Sequence, residues 1–425
     1  MEVRELSTKM KLMCVAMVSV CVAGFASEPL TLDAALKTAY SNFPRLSAQK
    51  DRVNAAESEV TARVSPSSPS LGISQLNRGN STTYATIEQK IDFPTKYILK
   101  GKAQSYRANA EMSDFEAMRL FVRANVISTF YELQAVQKII ELNQQDLARL
   151  KEMSRITESK YASGKAPQHD QMKAHVAQTE TETKLIVLRQ EEDALQAKLA
   201  HFLHGDVQLS VSLAELDLEV PDIRGQLKEV GVAEVSHSPV VAKMRNLTKA
   251  AEAESSLAGW NFAPDFKVSY QQRIAGAPEN SHIVGVNLSI PLWFWGNSAE
   301  SRAASYRESA AKKELMHSQH KAATDLRMLK SKLMSEYELY RIFESSLIPQ
   351  ALSSYNSAIA AYRANRISFN DYLDSERSLL QVKIARFRTR SQYIGNLVQF
   401  EALLGKPISG LGESSLEKES NDEKN

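Results

Sequence analysis

The chain has 425 residues, a formal net charge of +2 and two cysteines. A balance this close to neutral gives no support to nucleic-acid binding. Glycine and proline are scarce, while Ala, Leu, Gln, Glu, Lys and Ser dominate, which is typical of long or coiled-coil helices and argues against two or three ordinary globular domains.

The N-terminal segment 1–26 has the pattern of an export signal. Two lysines precede the apolar run 12–25, which is too short for a membrane span of about 20 apolar residues, and small residues offer a cleavage site after it. Cys14 and Cys21 both lie in this segment, so the exported chain is expected to contain no cysteine. Lipidation of Cys21 is disfavoured because Val20, and not a small residue, precedes it.

The next part of the chain predicts two strands followed by two long helices. Apolar and polar residues alternate weakly over about 70–93. No proline occurs between Pro94 and Pro167, and the segment 95–163 predicts a helix whose roughly 69 residues would extend about 100 Å. The segment 168–204 has apolar residues at intervals of three and four, which predicts a second helix packed antiparallel on the first.

A stronger strand pattern occupies about 265–292. Its second half places Val284, Val286, Leu288 and Ile290 on one face and small or polar residues on the other. Period-two alternation over about ten residues is the pattern of a transmembrane β-strand, with lipid on one side and water on the other. An ordinary soluble helical bundle would explain the helix stripes, but it predicts no strands.

All three tryptophans of the chain, Trp260, Trp293 and Trp295, flank this second strand pair. Their amphipathic rings suit the headgroup zone of a membrane, where aromatic residues are enriched. Burial in a protein core is the alternative for any one of them. Their clustering at strand ends favours the membrane interface.

Two further helices are expected over 297–365 and 368–404, with Pro349 kinking or breaking the first of them. With these helices, the second half of the chain repeats the order of elements in the first. Such a long-period duplication means that one folding unit occurs twice.

The duplication divides the chain into two structural repeats, 27–205 and 230–408. The stretch 206–229 is the expected linker between them. The tail 409–425 is rich in acidic residues and is expected to be disordered.

Four strands cannot close a barrel, because about eight is the minimum, and an open sheet in hydrocarbon would leave unpaired edges. If these strands span a membrane, several chains must share one barrel. A dimer would supply eight strands and a trimer twelve, and the residues alone do not choose between them. The expected fold class is α+β, with long antiparallel helices beside four transmembrane strands per protomer.

This doubled arrangement of helices and strand pairs resembles the TolC-like outer membrane efflux factors. The matching segments are 30–36, Ile290-Pro291-Leu292, Leu403-Leu404-Gly405, and the helix turns Tyr161-x-x-Gly164 and Tyr362-x-x-Asn365-x-x-Ser368. The resemblance covers about 30–407. It implies a homotrimer with a shared twelve-stranded β-barrel in the outer membrane and an α-helical barrel that extends into the periplasm.

The resemblance also implies a passive channel of a tripartite efflux system. Its partners would be a periplasmic membrane-fusion adaptor, an inner membrane pump of the resistance-nodulation-division type, and outer membrane lipid. No cofactor, resident metal or nucleic acid is expected. The segment 88–97, with Phe93-Pro94-Thr95-Lys96 where Leu-Pro-Gly-Lys is common, resembles the branch that serves cobalt–zinc–cadmium pumps, which implies metal cations as cargo.

In this family the helix turns contact the adaptor, and acidic residues ring the closed periplasmic mouth. The resemblance places the following residues at the adaptor-contact tips: Tyr161, Gly164, Tyr362, Asn365 and Ser368. It places Asp371 and Asp374 at the gate, where threefold symmetry would bring their carboxylates near one axis. Capping of the following helix is the alternative role, and both roles can hold together. The first turn departs from the family pattern at Pro167.

No catalytic activity is expected, because the sequence contains no Gly-x-Ser-x-Gly, His-Glu-x-x-His or phosphate-binding glycine loop. The pairs His201/His204 and His317/His320 could hold zinc only if further ligands converged, and a solvated helix surface is the alternative. The alternative function is a periplasmic coiled-coil adaptor or scaffold without channel activity. Such a protein would lack amphipathic hairpins with aromatic ends.

Overall fold

A computed structural model of the protein describes residues 30–78, 80–204, 220–276 and 281–412. The expected signal segment 1–26, with Cys14 and Cys21, lies outside the described residues. So do most of the expected linker 206–229 and most of the tail 409–425.

Within the described residues, the first half of the chain forms four helices and two strands. In chain order these are α1 (Leu32–Asn42), α2 (Pro44–Val64), β1 (Ser70–Arg78), β2 (Asn80–Ile91), α3 (Pro94–Ala162) and α4 (Gln168–Leu203). A proline opens both α2 and α3, at a position where no backbone N–H is needed by the helix. The 69 residues of α3 make it about 100 Å long, far longer than an ordinary globular domain.

The second half repeats this order after a short connecting region. The elements are α5 (Arg224–Glu229), a 3₁₀ turn (Val232–His237), α6 (Pro239–Trp260), β3 (Asp265–Ala275), β4 (His282–Ser289), α7 (Phe294–Ile342), α8 (Ile348–Arg363) and α9 (Phe369–Leu404). Like α2, α6 opens on a proline and leads into a strand pair. Like α3 and α4, the long helices α7–α8 and α9 are joined by a short turn.

The sequence predicts that Pro349 kinks or breaks this helix, and the structure shows no break at Pro349, which lies inside α8. A π-helical turn, Phe343–Leu347, lies directly before α8, and the residues that flank it keep helical dihedral angles. A π turn shifts the carbonyls that would otherwise meet the proline ring, so the chain can continue through proline with a local widening. The interruption therefore precedes Pro349, and α7 and α8 follow each other in one long rod.

The four strands form one antiparallel sheet in the order β1-β2-β3-β4. The central pairing joins β2 of the first repeat to β3 of the second, with Ile87 opposite Tyr270 and Ile91 opposite Phe266. This pairing brings together segments that lie about 180 residues apart in the chain. The α+β class expected from the sequence is confirmed.

The described residues form three apolar cores along the helices. The largest surrounds the middle of α3 and includes α1, the end of α4, and the end of α9. A second, the tip core, lies where α3, α4, α8 and α9 meet near their turns. A third, smaller core joins α3 to α4 between these two. No helix in the described part of the chain is both long enough and apolar enough to cross a membrane.

Candidate functional site

One face of the sheet is apolar and open to its surroundings. Because residues paired across antiparallel strands point to the same side, the registers place these residues on one surface, here called the apolar face: Leu71, Ile73, Ile87, Ile91, Phe266, Val268, Tyr270, Val284, Val286 and Leu288. Val286, near the middle of β4, is 70% exposed. Ile290 also is exposed but lies just beyond the end of β4.

The opposite face of the sheet is polar. It carries Tyr84, Thr86, Glu88, Lys90, Lys267, Ser269, Gln271 and Asn287. Opposite charges on it are paired, as in the contact of 2.5 Å between Lys267 Nζ and Glu88 Oε2. A sheet with one apolar and one charged face suits a position with lipid on one side and water on the other. It would be poorly solvated with water on both sides or with lipid on both sides.

The three tryptophans lie at one end of the sheet. Trp293 and Trp295, at the start of α7, are exposed, and their ring centroids lie 5.2 Å apart. Trp260, the last residue of α6, stacks on Phe93 at 5.3 Å between centroids and is 40% exposed. Their assignment to a membrane interface stays a prediction.

A charged network that the sequence did not reveal joins the two repeats where the strands meet the helices. Lys96 is buried. Its ammonium group donates to Asp265 Oδ1 at 2.7 Å and to the Ala263 carbonyl at 3.2 Å. The same carboxylate oxygen of Asp265 accepts the backbone N–H of Phe93 at 3.1 Å. The sequence alone does not predict this contact of Lys96, because its partner Asp265 lies 169 residues away.

The two helix turns have the same geometry. Gly164 and Asn365 adopt left-handed backbone angles, with φ of 67° and 57°. In each turn the residue after them donates to a carbonyl five positions earlier, at 2.8 Å for Lys165 and 2.9 Å for Arg366. This is the Schellman arrangement that ends a helix, and it favours glycine or asparagine at the left-handed position. The duplicated sequence motif thus corresponds to a duplicated turn.

Tyr161 and Tyr362 occupy equivalent positions but have different environments. Tyr161 is exposed, whereas Tyr362 is 4% exposed and belongs to the tip core, where it stacks on Tyr372 at 5.6 Å. The Lys160 ammonium group lies 3.9 Å from the Tyr362 ring centroid and donates to the backbone carbonyl of Tyr362 at 2.9 Å. Burial, with the nearby Asp170 carboxylate, raises the pKa of Tyr362 to about 12. Within one protomer the Tyr362 side chain therefore packs between the two turns, in contact with Lys160 before the first turn and with Tyr372 after the second.

The acidic turn at the start of α9 contains Ser368, Asp371 and Asp374. Ser368 and Asp371 form a capping box, in which Ser368 Oγ accepts the Asp371 N–H at 3.3 Å and Asp371 Oδ2 accepts the Ser368 N–H at 3.1 Å. Asp371 therefore has a structural role, as the alternative interpretation of the sequence held. Both aspartates are exposed, so they remain available for a second role at a shared axis.

In the part of the chain that the structure describes, no three His, Cys, Asp or Glu side chains converge in a way that could hold a metal ion. His201 packs against the Phe43 ring, with centroids 5.8 Å apart. His317 and His320 are exposed on α7.

No protein-family model matches the chain. The chain is similar to the cobalt-zinc-cadmium resistance protein CzcC of Cupriavidus metallidurans, at 23% identity over 90% of this chain and 91% of that protein. Its structure is similar to that of the outer-membrane channel OprN, with a TM-score of 0.75 and 16% identity over 90% of each chain. It is also similar to the CmeC outer membrane channel of Campylobacter jejuni, with a TM-score of 0.75 and 15% identity over 92% of this chain and 89% of that one.

Proposed function

We propose that this chain is the outer membrane channel of a tripartite efflux system, because its fold is that of solved outer membrane channels. One observation carries the proposal. A four-stranded sheet with an exposed apolar face lies at one end of helices about 100 Å long. The sheet suits a lipid environment, and the helices have the length of a periplasmic conduit.

The sheet also explains why the working unit would contain several copies. Within the protomer, β1 and β4 each pair with a single strand and so form the two edges of the sheet. Unpaired backbone groups in hydrocarbon cost several kcal/mol each, and closure into a barrel removes them. Two copies would supply eight strands and three copies twelve, and either number would satisfy every edge. We propose a homotrimer because the TolC-like efflux factors that the sequence resembles are trimers, with the apolar face toward lipid and the charged face toward a water-filled lumen.

The proposed channel is passive and takes its energy from its partners. A periplasmic adaptor would bind the duplicated turns, since two similar turns in each of three protomers make six related tips. An inner membrane pump, of the resistance-nodulation-division type, would supply the cargo. Metal cations are the proposed cargo because the relative CzcC is a cobalt-zinc-cadmium resistance protein. No catalytic role is proposed.

The alternative of a periplasmic adaptor or scaffold receives no support. It predicted a helical protein without amphipathic hairpins, and the structure contains two such hairpins in one sheet. The proteins of similar structure are outer membrane channels, matched over about nine-tenths of this chain.

Reconstitution into planar lipid bilayers tests the proposal. The purified protein should insert and produce discrete conductance steps, and its mobility on a gel should change on heating as a closed barrel unfolds. Release from cells without detergent, together with an absence of conductance at every pH and voltage tried, would leave a periplasmic scaffold as the better explanation.

A further inference from the structure

A cluster of two buried carboxylates and one partly exposed arginine connects α3 to α9 just above the tip core. Arg149 of α3 lies between two carboxylates: its Nε donates to Glu376 Oε1 at 3.1 Å and its NH2 group donates to Asp146 Oδ1 at 3.2 Å. Asp146 is 4% exposed and Glu376 is 3% exposed. Arg149 is therefore hydrogen-bonded to two buried carboxylates at once, and these share its single positive charge when both are ionised.

Hydrogen bonding in the cluster is incomplete. The second carboxylate oxygen of Glu376, Oε2, is buried without a well-formed hydrogen bond, and so is the Tyr372 hydroxyl beside it. An unsatisfied buried carboxylate oxygen is costly, whereas a protonated one becomes a donor. The Tyr372 hydroxyl can donate to an ionised Oε2, whereas a proton on Oε2 can instead be donated to the Tyr372 oxygen and would leave Arg149 paired with a single carboxylate.

The groups that face the two carboxylates come from every neighbouring element. They are Arg149 of α3, Lys184 of α4, Tyr355 of α8, and Tyr372 and Arg377 of α9; Lys383 of α9 lies close to Arg149. Burial raises the pKa of Glu376, and the charge of Asp146 raises it further, against the opposing effects of Tyr372 and Arg149. Burial likewise raises the pKa of Asp146, against the opposing effect of Arg149.

The cluster is placed where it can influence the tip. Tyr372 belongs both to the cluster and to the tip core, in which it stacks on Tyr362. Glu376 follows Asp371 and Asp374 on α9. Any outward movement of the start of α9 away from α3 would separate Glu376 from Arg149 and expose both carboxylates to water.

We propose that Asp146 and Glu376 form one proton-binding site, and that a proton bound there holds α9 against α3 and so keeps the periplasmic tip closed. The effect on conduction rests on the proposed function. The proton site itself does not depend on it.

The direction of the pH effect follows from linkage. In the packed tip the carboxyl pKa is raised, whereas in an opened tip the same carboxyl is solvated and titrates near its ordinary value of about 4.3. The packed tip therefore binds the proton more tightly, and acid favours closure. As pH rises above the ordinary value, the open-to-closed ratio should increase by up to about tenfold per pH unit, and it should level off above the raised pKa.

Three variants isolate the site when the full-length protein is recorded in planar bilayers across acidic to neutral pH. Glu376→Gln and Asp146→Asn each leave one carboxylate for Arg149, so both should abolish the steep pH dependence of open probability and hold it near the acidic value. Glu152→Gln removes an exposed carboxylate on the same helix and should keep the wild-type profile. The acidic turn is unchanged in all three variants, so the difference from wild type reports the cluster alone.

Infrared titration of the detergent-solubilised protein tests the proton site without conduction. A carboxylic-acid carbonyl band should persist in the wild-type protein above the pKa of exposed carboxyls, and Glu376→Gln or Asp146→Asn should remove it. A wild-type protein without such a band overturns the proton site, even if a variant fails to assemble. If the wild-type channel conducts and both variants show the wild-type pH profile of open probability, the proposed link between the proton and tip closure is wrong. The proposed channel function is not affected by that result.

Discussion

The buried ion pair between Arg123 and Glu401 should contribute strongly to the free energy of unfolding, because it joins the helices that surround the largest core. Arg123, on α3, is 1% exposed, and its NH1 group lies 2.5 Å from Glu401 Oε2, on a residue of α9 that is fully buried. Its other terminal nitrogen donates to the Leu411 carbonyl. Glu401 Oε1 in turn accepts the backbone N–H groups of Ile408 and Ser409 at 2.8 and 2.6 Å. The pair thus joins α3, α9 and the segment that follows α9.

Replacement of Arg123 by Met removes one partner and leaves the Glu401 carboxylate as an uncompensated buried charge. Loss of one member of a buried pair costs about 3–5 kcal/mol in free energy of unfolding. The matched control is Lys151→Met, also on α3, where the ammonium lies 3.9 Å from Glu182 and both side chains are more than half exposed. A surface pair of this kind contributes about 0–1 kcal/mol.

The assay is denaturant unfolding of the detergent-solubilised protein, followed by helical circular dichroism, with limited proteolysis of the C-terminal segment. Arg123→Met should unfold at a clearly lower denaturant concentration than Lys151→Met, and it should lose the segment after Leu404 to protease first. Addition of Glu401→Gln to Arg123→Met should recover part of the loss, since it removes the stranded charge. Equal unfolding midpoints for the two single variants would refute the assignment of Arg123 and Glu401 as a stabilising buried pair.

Three further predictions concern the proposed channel. Val286→Arg should impair assembly in the outer membrane by about 2–4 kcal/mol if Val286 lies near the bilayer midplane, and normal assembly, measured by membrane fractionation, would show that the lipid-facing side is misassigned. Asp371→Asn with Asp374→Asn keeps the helix cap but removes the charge, so single-channel recordings should show weaker block by divalent cations and lower cation preference; unchanged block and selectivity would make the aspartates helix caps alone. Tyr161→Cys should crosslink to the adaptor in intact cells, whereas Ala275→Cys, at the opposite end of the protein, should not, and the reverse pattern would invert the proposed orientation.

The local sequence pattern determined most of the helices and strands, because helix and strand periodicities are properties of neighbouring residues. The absence of proline between Pro94 and Pro167 predicted a long helix, and the structure has α3. The alternation of Val284, Val286 and Leu288 predicted one apolar strand face, and β4 presents those side chains together.

Local pattern did not determine how proline is accommodated or which tip residues are buried. The sequence predicts a kink or break at Pro349, and the structure has a π turn in the residues just before it, because adjustment of the preceding carbonyls removes the clash with the proline ring without ending the helix. Tyr161 and Tyr362 share a motif, yet only Tyr362 is buried, since it alone stacks on Tyr372 of the returning helix.

The contacts that join distant segments were decided by the tertiary structure alone. Lys96 meets Asp265 across 169 residues, Arg149 meets Glu376 across 227, and Arg123 meets Glu401 across 278. Each residue by itself looks like an ordinary charge on a helix or strand, because a buried ion pair depends on which faces come together and not on the spacing along either one. The sequence determined the long helices and the two-faced strands, and their packing created the buried charges that couple them.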